Sequence, residues 1–129
     1  MKIRLIAAIV AAAGGQLIGR VRLQKTMYLL DQLGLNSGFE YEYHHYGPYS
    51  RDIDNATADA KAFDLIKEEY EHRQSDGAMY SIFKLQQTAE RNIAAYGALG
   101  RERVSDLVGL FACTNVTVLE LAATIDWLW

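Results

Sequence analysis

The chain has 129 residues, half of them apolar, and a net charge of −3. This length suits one folded domain with its own core, and the charge argues against binding nucleic acid by bulk attraction. Cys113 is the only cysteine, which excludes an intramolecular disulfide and a cysteine-based zinc site. We expect a single domain over residues 1–129, with a core over about 1–86 and a C-terminal helical bundle over about 87–129.

The apolar N-terminal stretch predicts a core helix over residues 2–13, which Gly14-Gly15 would end. The stretch resembles the apolar part of a signal peptide, but it is too short to span a bilayer and no obvious cleavage site follows it. We therefore expect a cytoplasmic protein with no membrane partner.

The second predicted helix runs from about Gly19 to Leu33, and its first half is basic. Its inner stripe would consist of Leu23, Met27 and Leu30. Arg20, Arg22 and Lys25 lie where the helix dipole is already positive, which lowers stability slightly if the charges are left alone. These cations either have a partner or form a solvated face.

Alternating aromatic residues from Phe39 to Tyr43 predict a half-buried strand with its rings directed inward. Gly47-Pro48 would end it, because proline cannot donate to a sheet ladder. A helix is predicted to follow, with Tyr49, Ile53, Ala56, Ala60 and Phe63 on its buried face. The outer face of this helix is acidic and carries Asp52, Asp54, Asp59 and Asp64 against Arg51 and Lys61.

Asp76-Gly77 predicts a β-hairpin with a two-residue turn. Folded there, the chain places Tyr70 opposite Phe83 and Glu69 opposite Lys84. This register is favoured because it pairs an aromatic residue with an aromatic residue and an acid with a base.

The last third of the chain is predicted to be helical. Thr88 is a candidate N-cap for a helix to about Leu99, and a further helix carries core-spaced apolar residues over 104–111. Cys113 would be a small core residue, and Thr117 to Glu120 forms a capping box for the last helix. The inner face of that helix would carry Leu121, Ala122, Ile125 and Leu128. The two tryptophans, Trp127 and Trp129, either pack back on the body of the domain or precede further chain.

Three helices, a short strand and a two-stranded hairpin in this order indicate an α+β, mostly helical domain. We predict a winged helix-turn-helix-like core, with the hairpin as its wing and the C-terminal helices added to it.

Three segments resemble known prokaryotic domains. Arg22-Leu23-Gln24-Lys25, followed by Tyr28-Leu29-Leu30, resembles the "LQKLLYLL" helix of the YwgA-like and Panacea (SocA/GepA-like) domains. Tyr46-Gly47-Pro48-Tyr49-Ser50 is similar to their "YGPYS" turn, and residues 120–125 resemble the last helix of the YwgA-like branch. The resemblance implies a small winged-helix-like domain, and Panacea-type members are associated with toxin neutralisation and with phage or mobile-element genes. It implies no catalytic residues.

We expect no enzyme, no cofactor and no metal site. His44 and His45 are adjacent, so on a regular strand they point to opposite faces and cannot both bind one metal ion. A buried or interface histidine that is hydrogen-bonded to Glu40, Glu42 or a tyrosine is the ordinary alternative. The chain has neither the glycine and lysine spacing of a phosphate loop nor a nucleophile motif.

Two functional hypotheses follow. The chain is a protein-interaction module, antitoxin- or adaptor-like, that binds a toxin, nuclease or other effector, or it is a DNA-binding transcriptional regulator of the winged-helix type. The acidic helix before the wing favours the first, because its carboxylates would face DNA phosphates. Both hypotheses are compatible with a homodimer. We place the partner- or DNA-binding surface at Arg20, Arg22, Lys25, Tyr46, Tyr49 and Arg51.

Overall fold

A computed structural model of the protein describes residues 2–45, 47–86 and 99–129. Its helices are α1 (Lys2–Ala12), α2 (Arg20–Gln32), α3 (Arg51–Ala62), α4 (Arg101–Ala112) and α5 (Val116–Leu128). Its strands are β1 (Gln16–Ile18), β2 (Glu42–His44), β3 (Gly47–Tyr49), β4 (Ile66–His72) and β5 (Met79–Leu85). The described chain is therefore α+β with small antiparallel sheets. The helix predicted from Thr88 onwards lies outside the described residues, apart from its end at Leu99.

Strands β1, β5 and β4 form a three-stranded antiparallel sheet in that order. Leu17 of β1 pairs with Phe83 of β5, and both side chains are buried. The sheet contacts α1, α2 and α3 through these strands. β2 and β3 form a separate two-stranded hairpin in which Tyr43 pairs with Pro48.

The predicted hairpin between β4 and β5 is confirmed, but its predicted register is wrong by two residues. Tyr70 pairs with Ser81, and Glu68 pairs with Phe83. Residues 73–78 separate the two strands, which is a longer connection than the predicted two-residue turn. A shift of two residues keeps every side chain on its predicted sheet face, because side chains alternate with a period of two.

The core lies between the sheet and the helices. Leu23, Met27 and Leu30 of α2 are at most 2% exposed, so the predicted inner stripe of this helix is confirmed. Val104 and Val108 of α4 are fully buried, and α4 packs on α1 and α2. The prediction of a core helix over residues 2–13 is confirmed by α1, which is buried along most of its length.

The strand predicted from Phe39 to Tyr43 is displaced toward the C-terminus. Phe39 is buried and Tyr41 is partly buried, as predicted, but Tyr43 is 50% exposed. Pro48 lies within β3 rather than ending a strand. Tyr43 is exposed because its short hairpin stands apart from the three-stranded sheet, so one face of the hairpin meets solvent.

Helix α3 begins at Arg51, and its predicted inner face is confirmed at Ile53, Ala56 and Ala60. Phe63, predicted to share that face, is 69% exposed. It lies beyond the last helical turn, where Asp64 adopts a left-handed φ of 58° and turns the chain away from the helix axis.

The outer face of α3 carries less free acidic charge than predicted. Asp52 accepts a hydrogen bond at 2.9 Å from a backbone amide in the loop before β2. Asp54 accepts hydrogen bonds from Gln24 Nε2 at 3.2 Å and from the Tyr49 hydroxyl. Of the four acids predicted on the outer face, Asp59 and Asp64 are exposed, whereas Asp52 and Asp54 are partly buried and hydrogen-bonded.

Helix α5 uses a different cap and turns a different face inward than predicted. Asn115 Oδ1 accepts a hydrogen bond from Thr117 N at 2.8 Å, so Asn115 takes the capping role predicted for Thr117. Leu119 and Ala123 are the buried residues of α5. The residues predicted to face the core are exposed instead: Leu121, Ala122, Ile125 and Leu128. The prediction failed because both faces of this helix are apolar, so spacing alone does not select between them.

Cys113, which follows α4, is exposed rather than part of the core. It occupies the C-cap position of α4, where the chain turns toward α5. No single helix within the described ranges is long and apolar enough to cross a membrane. Helices α4 and α5 pass such a test only together, as a pair bent by 120°.

Candidate functional site

Side chains of α2 form hydrogen bonds to the backbone of residues 48–50, where β3 leads into α3. The Gln24 side chain spans the backbone of Ser50: Nε2 donates to the carbonyl oxygen and Oε1 accepts from the amide, both at 2.9 Å. The next residue, Lys25, donates from Nζ to the Pro48 carbonyl oxygen at 2.6 Å. Helix α2 thereby fixes the backbone of β3 and the start of α3.

Helix α5 packs on the turn that precedes β3. Gly47 adopts a φ of 96°, and a β-carbon added there would overlap Thr124 Oγ1 of α5. L-residues rarely adopt this backbone conformation, so glycine serves both the turn and the close approach of the helix. The start of α2, the β2–β3 turn and α5 therefore form one packed unit.

Replacing Gly47 by alanine is expected to lower the free energy of unfolding by about 2 kcal/mol, from left-handed backbone strain and overlap with Thr124. Chemical denaturation would measure the loss. Adding Thr124→Ala to Gly47→Ala should recover the steric part of the loss and leave the backbone part. Equal stability of the Gly47→Ala variant and the wild-type protein would show that α5 does not press on this turn.

Lys25 is 2% exposed, although the sequence predicts a surface residue. Burial lowers the pKa of its ammonium group, and the carboxylate of Glu120 in α5 partly offsets this effect. The ammonium group holds the Pro48 carbonyl inside the packed unit. Lys25 is therefore buried and internally bonded rather than free on the surface, and its predicted place in a partner-binding surface stays a prediction.

Arg20 has an internal partner in the sheet. Its Nε and Nη2 atoms donate to the two carboxylate oxygens of Glu68 at 2.9 and 2.8 Å. The Glu68 side chain is fully buried and also accepts hydrogen bonds from Lys61 Nζ, at 2.8 Å, and from the Ser81 hydroxyl. Burial alone would raise the pKa of Glu68, but the hydrogen bonds from Lys61, Ser81 and Arg20 lower it to about 2.

Arg22 binds backbone carbonyl groups rather than a carboxylate. Its Nη1 atom donates to the carbonyl oxygens of Phe111, at 3.0 Å, and Thr114, and its Nε atom donates to Ile18 O at 3.0 Å. The carbonyl groups of Phe111 and Thr114 lie at or just beyond the C-terminal end of α4, where a cation also interacts favourably with the helix dipole. Arg22 therefore ties α2 to the connection between α4 and α5.

Of the remaining predicted site residues, Tyr49 ends β3 and Arg51 begins α3. Tyr49 is half-buried, its hydroxyl donates to Asp54, and its ring lies 4.5 Å from the ring of His44. His44 Nε2 is 2.9 Å from a Glu42 carboxylate oxygen, so the predicted bond forms, but His44 is exposed rather than buried. Arg51 is exposed at the start of α3. Tyr46 lies outside the described residues.

Two concave surfaces flank the start of α2. A cavity of about 280 Å³ lies on the side of the β2–β3 turn, and its walls include Arg20, Lys25, His44, Tyr49 and Asp54. A larger groove of about 850 Å³ lies on the side of the β4–β5 hairpin, and its walls include Ile18, Arg20, Arg22, Glu71, Arg73 and Met79. The structure thus brings Arg20, Lys25 and Tyr49 to the cavity, and Arg20 and Arg22 to the groove.

An aromatic cluster joins α5 to α2 and β2. The Trp127 ring lies 6.3 Å from that of Tyr28 and 6.2 Å from that of Tyr43, between ring centroids. The Tyr28 hydroxyl donates to Asp126 at 2.6 Å. Trp127 therefore packs back on the body of the domain, as one of the two predictions stated, whereas Trp129 is fully exposed.

The sequence did not identify Glu68 as the partner of Arg20, nor Gln24 as the side chain that binds the Ser50 backbone. Glu68 lies on the same sheet face as Ile66, Phe83 and Leu85, and a carboxylate among these apolar residues was the available signal. Gln24 gave no such signal, because a polar residue in an amphipathic helix is ordinary.

Within the described ranges, no group of three or more His, Cys, Asp or Glu side chains is arranged to hold a metal ion. Compared with family models and with curated proteins, the chain matches none at a significant level.

Proposed function

We propose that this chain is a non-enzymatic protein-interaction module with a winged-helix-like core, antitoxin- or adaptor-like, in a prokaryotic toxin–antitoxin, phage or defence-related system. Its partner would be a toxin, a nuclease or another effector. The resemblance of its three segments to YwgA-like and Panacea domains supports this class of partner. The sheet order β1-β5-β4, with α3 directly before the β4–β5 hairpin, supports a winged-helix-like core.

The single observation that carries the proposal is the groove between the start of α2 and the β4–β5 hairpin. Its walls combine exposed apolar side chains, Ile18 at 45% and Met79 at 61%, with charges of both signs from Arg73 and Glu71. Protein partners bind surfaces of this mixed kind, in which apolar contacts contribute affinity and peripheral charges set orientation. At about 850 Å³ and open to solvent, the groove suits a peptide segment or loop.

The proposal includes no catalysis, because the titratable side chains at the start of α2 are occupied. Arg20, Arg22 and Lys25 each bind an internal carboxylate or carbonyl group. A catalytic acid, base or nucleophile needs a free functional group beside a substrate site. The contacts of these three cations supply structure instead.

The proposed partner surface can be tested with the product of the adjacent gene, co-expressed with the chain and co-purified. Met79→Asp should weaken binding at least about tenfold, because it removes apolar contact and adds a charge in the groove. Phe63→Asp is a matched control, since Phe63 is 69% exposed and does not line the groove. Equal binding by the Met79→Asp and Phe63→Asp variants would contradict the groove as the binding surface.

A DNA-binding regulator is the second candidate, and one observation favours it. Asp52 and Asp54 on α3 are half-buried and hydrogen-bonded, so they oppose DNA phosphates less than free carboxylates would. However, Arg20 pairs with the Glu68 carboxylate, Arg22 binds backbone carbonyl groups and Lys25 is buried, so the start of α2 presents little unpaired positive charge to DNA. The first function is therefore better supported.

We expect only weak binding to duplex DNA at physiological salt. The α3 helix carries three aspartates against two cations, Arg51 and Lys61, so DNA would meet a net negative helix. Electrophoretic mobility shifts at several salt concentrations would measure this. A sequence-specific, nanomolar shift at physiological salt would reverse the ranking of the two functions.

A further inference from the structure

Helix α5 presents an apolar strip to solvent. Val118, Leu121, Ile125 and Leu128 are between 55% and 70% exposed, and Trp129 beyond the helix is fully exposed. These positions recur every three or four residues, which places them in one stripe along the helix. The stripe includes the exposed Ala122 and no charged residue.

Contacts on the opposite side of α5 hold the helix in an orientation that exposes this stripe. Leu119 and Ala123 are buried, Trp127 packs on Tyr28, and Thr124 lies against the β2–β3 turn. The helix therefore cannot rotate to bury the stripe without breaking these contacts. The exposed stripe is a fixed feature of the folded domain.

We propose that a second copy of this chain covers the stripe, through contact between the α5 helices of two protomers. In an isologous dimer, the same patch of each protomer forms the interface. A patch with charge of one sign would repel its copy, whereas this stripe carries no charge. Its heptad-like spacing matches the side-chain pattern by which paired helices interlock. This surface is separate from the groove of the proposed function.

The size of the stripe suits such a contact. The exposed parts of its side chains offer about 500 Å² of apolar surface per protomer. Two copies would then bury about 1,000 Å², which is the lower limit for a specific interface. Homodimer interfaces are also more apolar than transient ones, as this stripe is.

The charges of α5 argue against a lipid surface as the occupant. Helices that lie on membranes carry Lys or Arg on the polar face, which attract anionic lipids. The only charged residues of α5 are Glu120 and Asp126, and both are acidic. An anionic bilayer would repel this helix.

Analytical ultracentrifugation over a range of protein concentrations tests the dimer. We expect the wild-type chain to associate reversibly to a dimer, and Leu121→Glu to raise the dissociation constant at least about 100-fold, because the new carboxylate would be buried without a partner. Phe63→Glu is the matched control, since Phe63 is as exposed but lies outside α5. Circular dichroism and thermal melting establish that both variants fold.

A cysteine cross-link tests the place of the contact. In a Cys113→Ser background, Ala122→Cys lies near the middle of the stripe and should form a disulfide-linked dimer on oxidation, whereas Phe63→Cys should not. A wild-type monomer at all concentrations, a dimer unaffected by Leu121→Glu, or binding of the stripe to phosphatidylcholine vesicles in place of self-association would overturn the proposal.

Discussion

Replacing Lys25 by glutamate is expected to unfold the domain at neutral pH. The new carboxylate would be buried beside the Pro48 carbonyl oxygen and near the Glu120 carboxylate, both of which repel a negative charge. An unpaired charge in a buried site destabilises a fold by about 3–5 kcal/mol, which is comparable with the whole stability of a small domain. Urea denaturation monitored by circular dichroism would measure the loss.

Lys25→Met provides the matched comparison, because methionine is also long and unbranched but carries no charge. It leaves the Pro48 carbonyl without its donor, so the free energy of unfolding should fall by about 1–3 kcal/mol while the domain still folds. Arg51→Glu changes the same charge on exposed surface and should alter stability by less than about 0.5 kcal/mol. If Lys25→Glu and Arg51→Glu were equally stable, Lys25 would not be buried as described.

These contacts change how binding experiments at Arg22 and Lys25 should be interpreted. Charge reversal at either residue removes support for β3 or for the end of α4, so a loss of partner binding would report damage to the fold. Substitutions at exposed groove residues such as Met79 separate stability from binding.

The helices and the hairpin were predictable because their signals are local. Helix α2 carries an apolar stripe at helical spacing and ends beside glycine, and β4 and β5 alternate on either side of a turn sequence. The hairpin register was not predictable from charge. In the structure, Lys84 pairs with Lys67 across the strands, and its ammonium group reaches Glu69 diagonally at 2.6 Å. Glu69 and Lys84 therefore contact each other in both the predicted and the observed register. Their opposite charges did not identify the correct register.

The candidate site was predictable only in part, because its contacts join residues far apart in the chain. The sequence identified the unusual cations at the start of α2, and the dipole argument indicated that they need a partner. It did not identify Glu68 as the partner of Arg20, at a separation of 48 residues. The inward side of α5 was missed for a related reason: Thr124 fits against Gly47, which is a shape match that no periodicity reveals.

The domain is expected to lose stability as the pH falls from about 4.5 to about 2, and Glu68 should account for much of the loss. Hydrogen bonds from Lys61, Ser81 and Arg20 outweigh the burial that would raise its pKa, and lower the pKa from 4.5 to about 2. Because the folded pKa is the lower one, the stabilisation is complete above about pH 4.5 and disappears as the buried carboxylate is protonated.

The size of this effect is about 2–3 kcal/mol, after allowance for the solvent around Arg20 and Lys61. Glu68→Gln keeps the shape but removes the charge, so it should lower stability by a similar amount at pH 7 and flatten the acid limb of the stability profile. Urea denaturation at a series of pH values would measure both effects. Glu69→Gln, on the exposed face of the same strand, is the control and should shift stability less. An acid limb in the Glu68→Gln variant as steep as that of the wild-type protein would assign the pH dependence to other carboxylates.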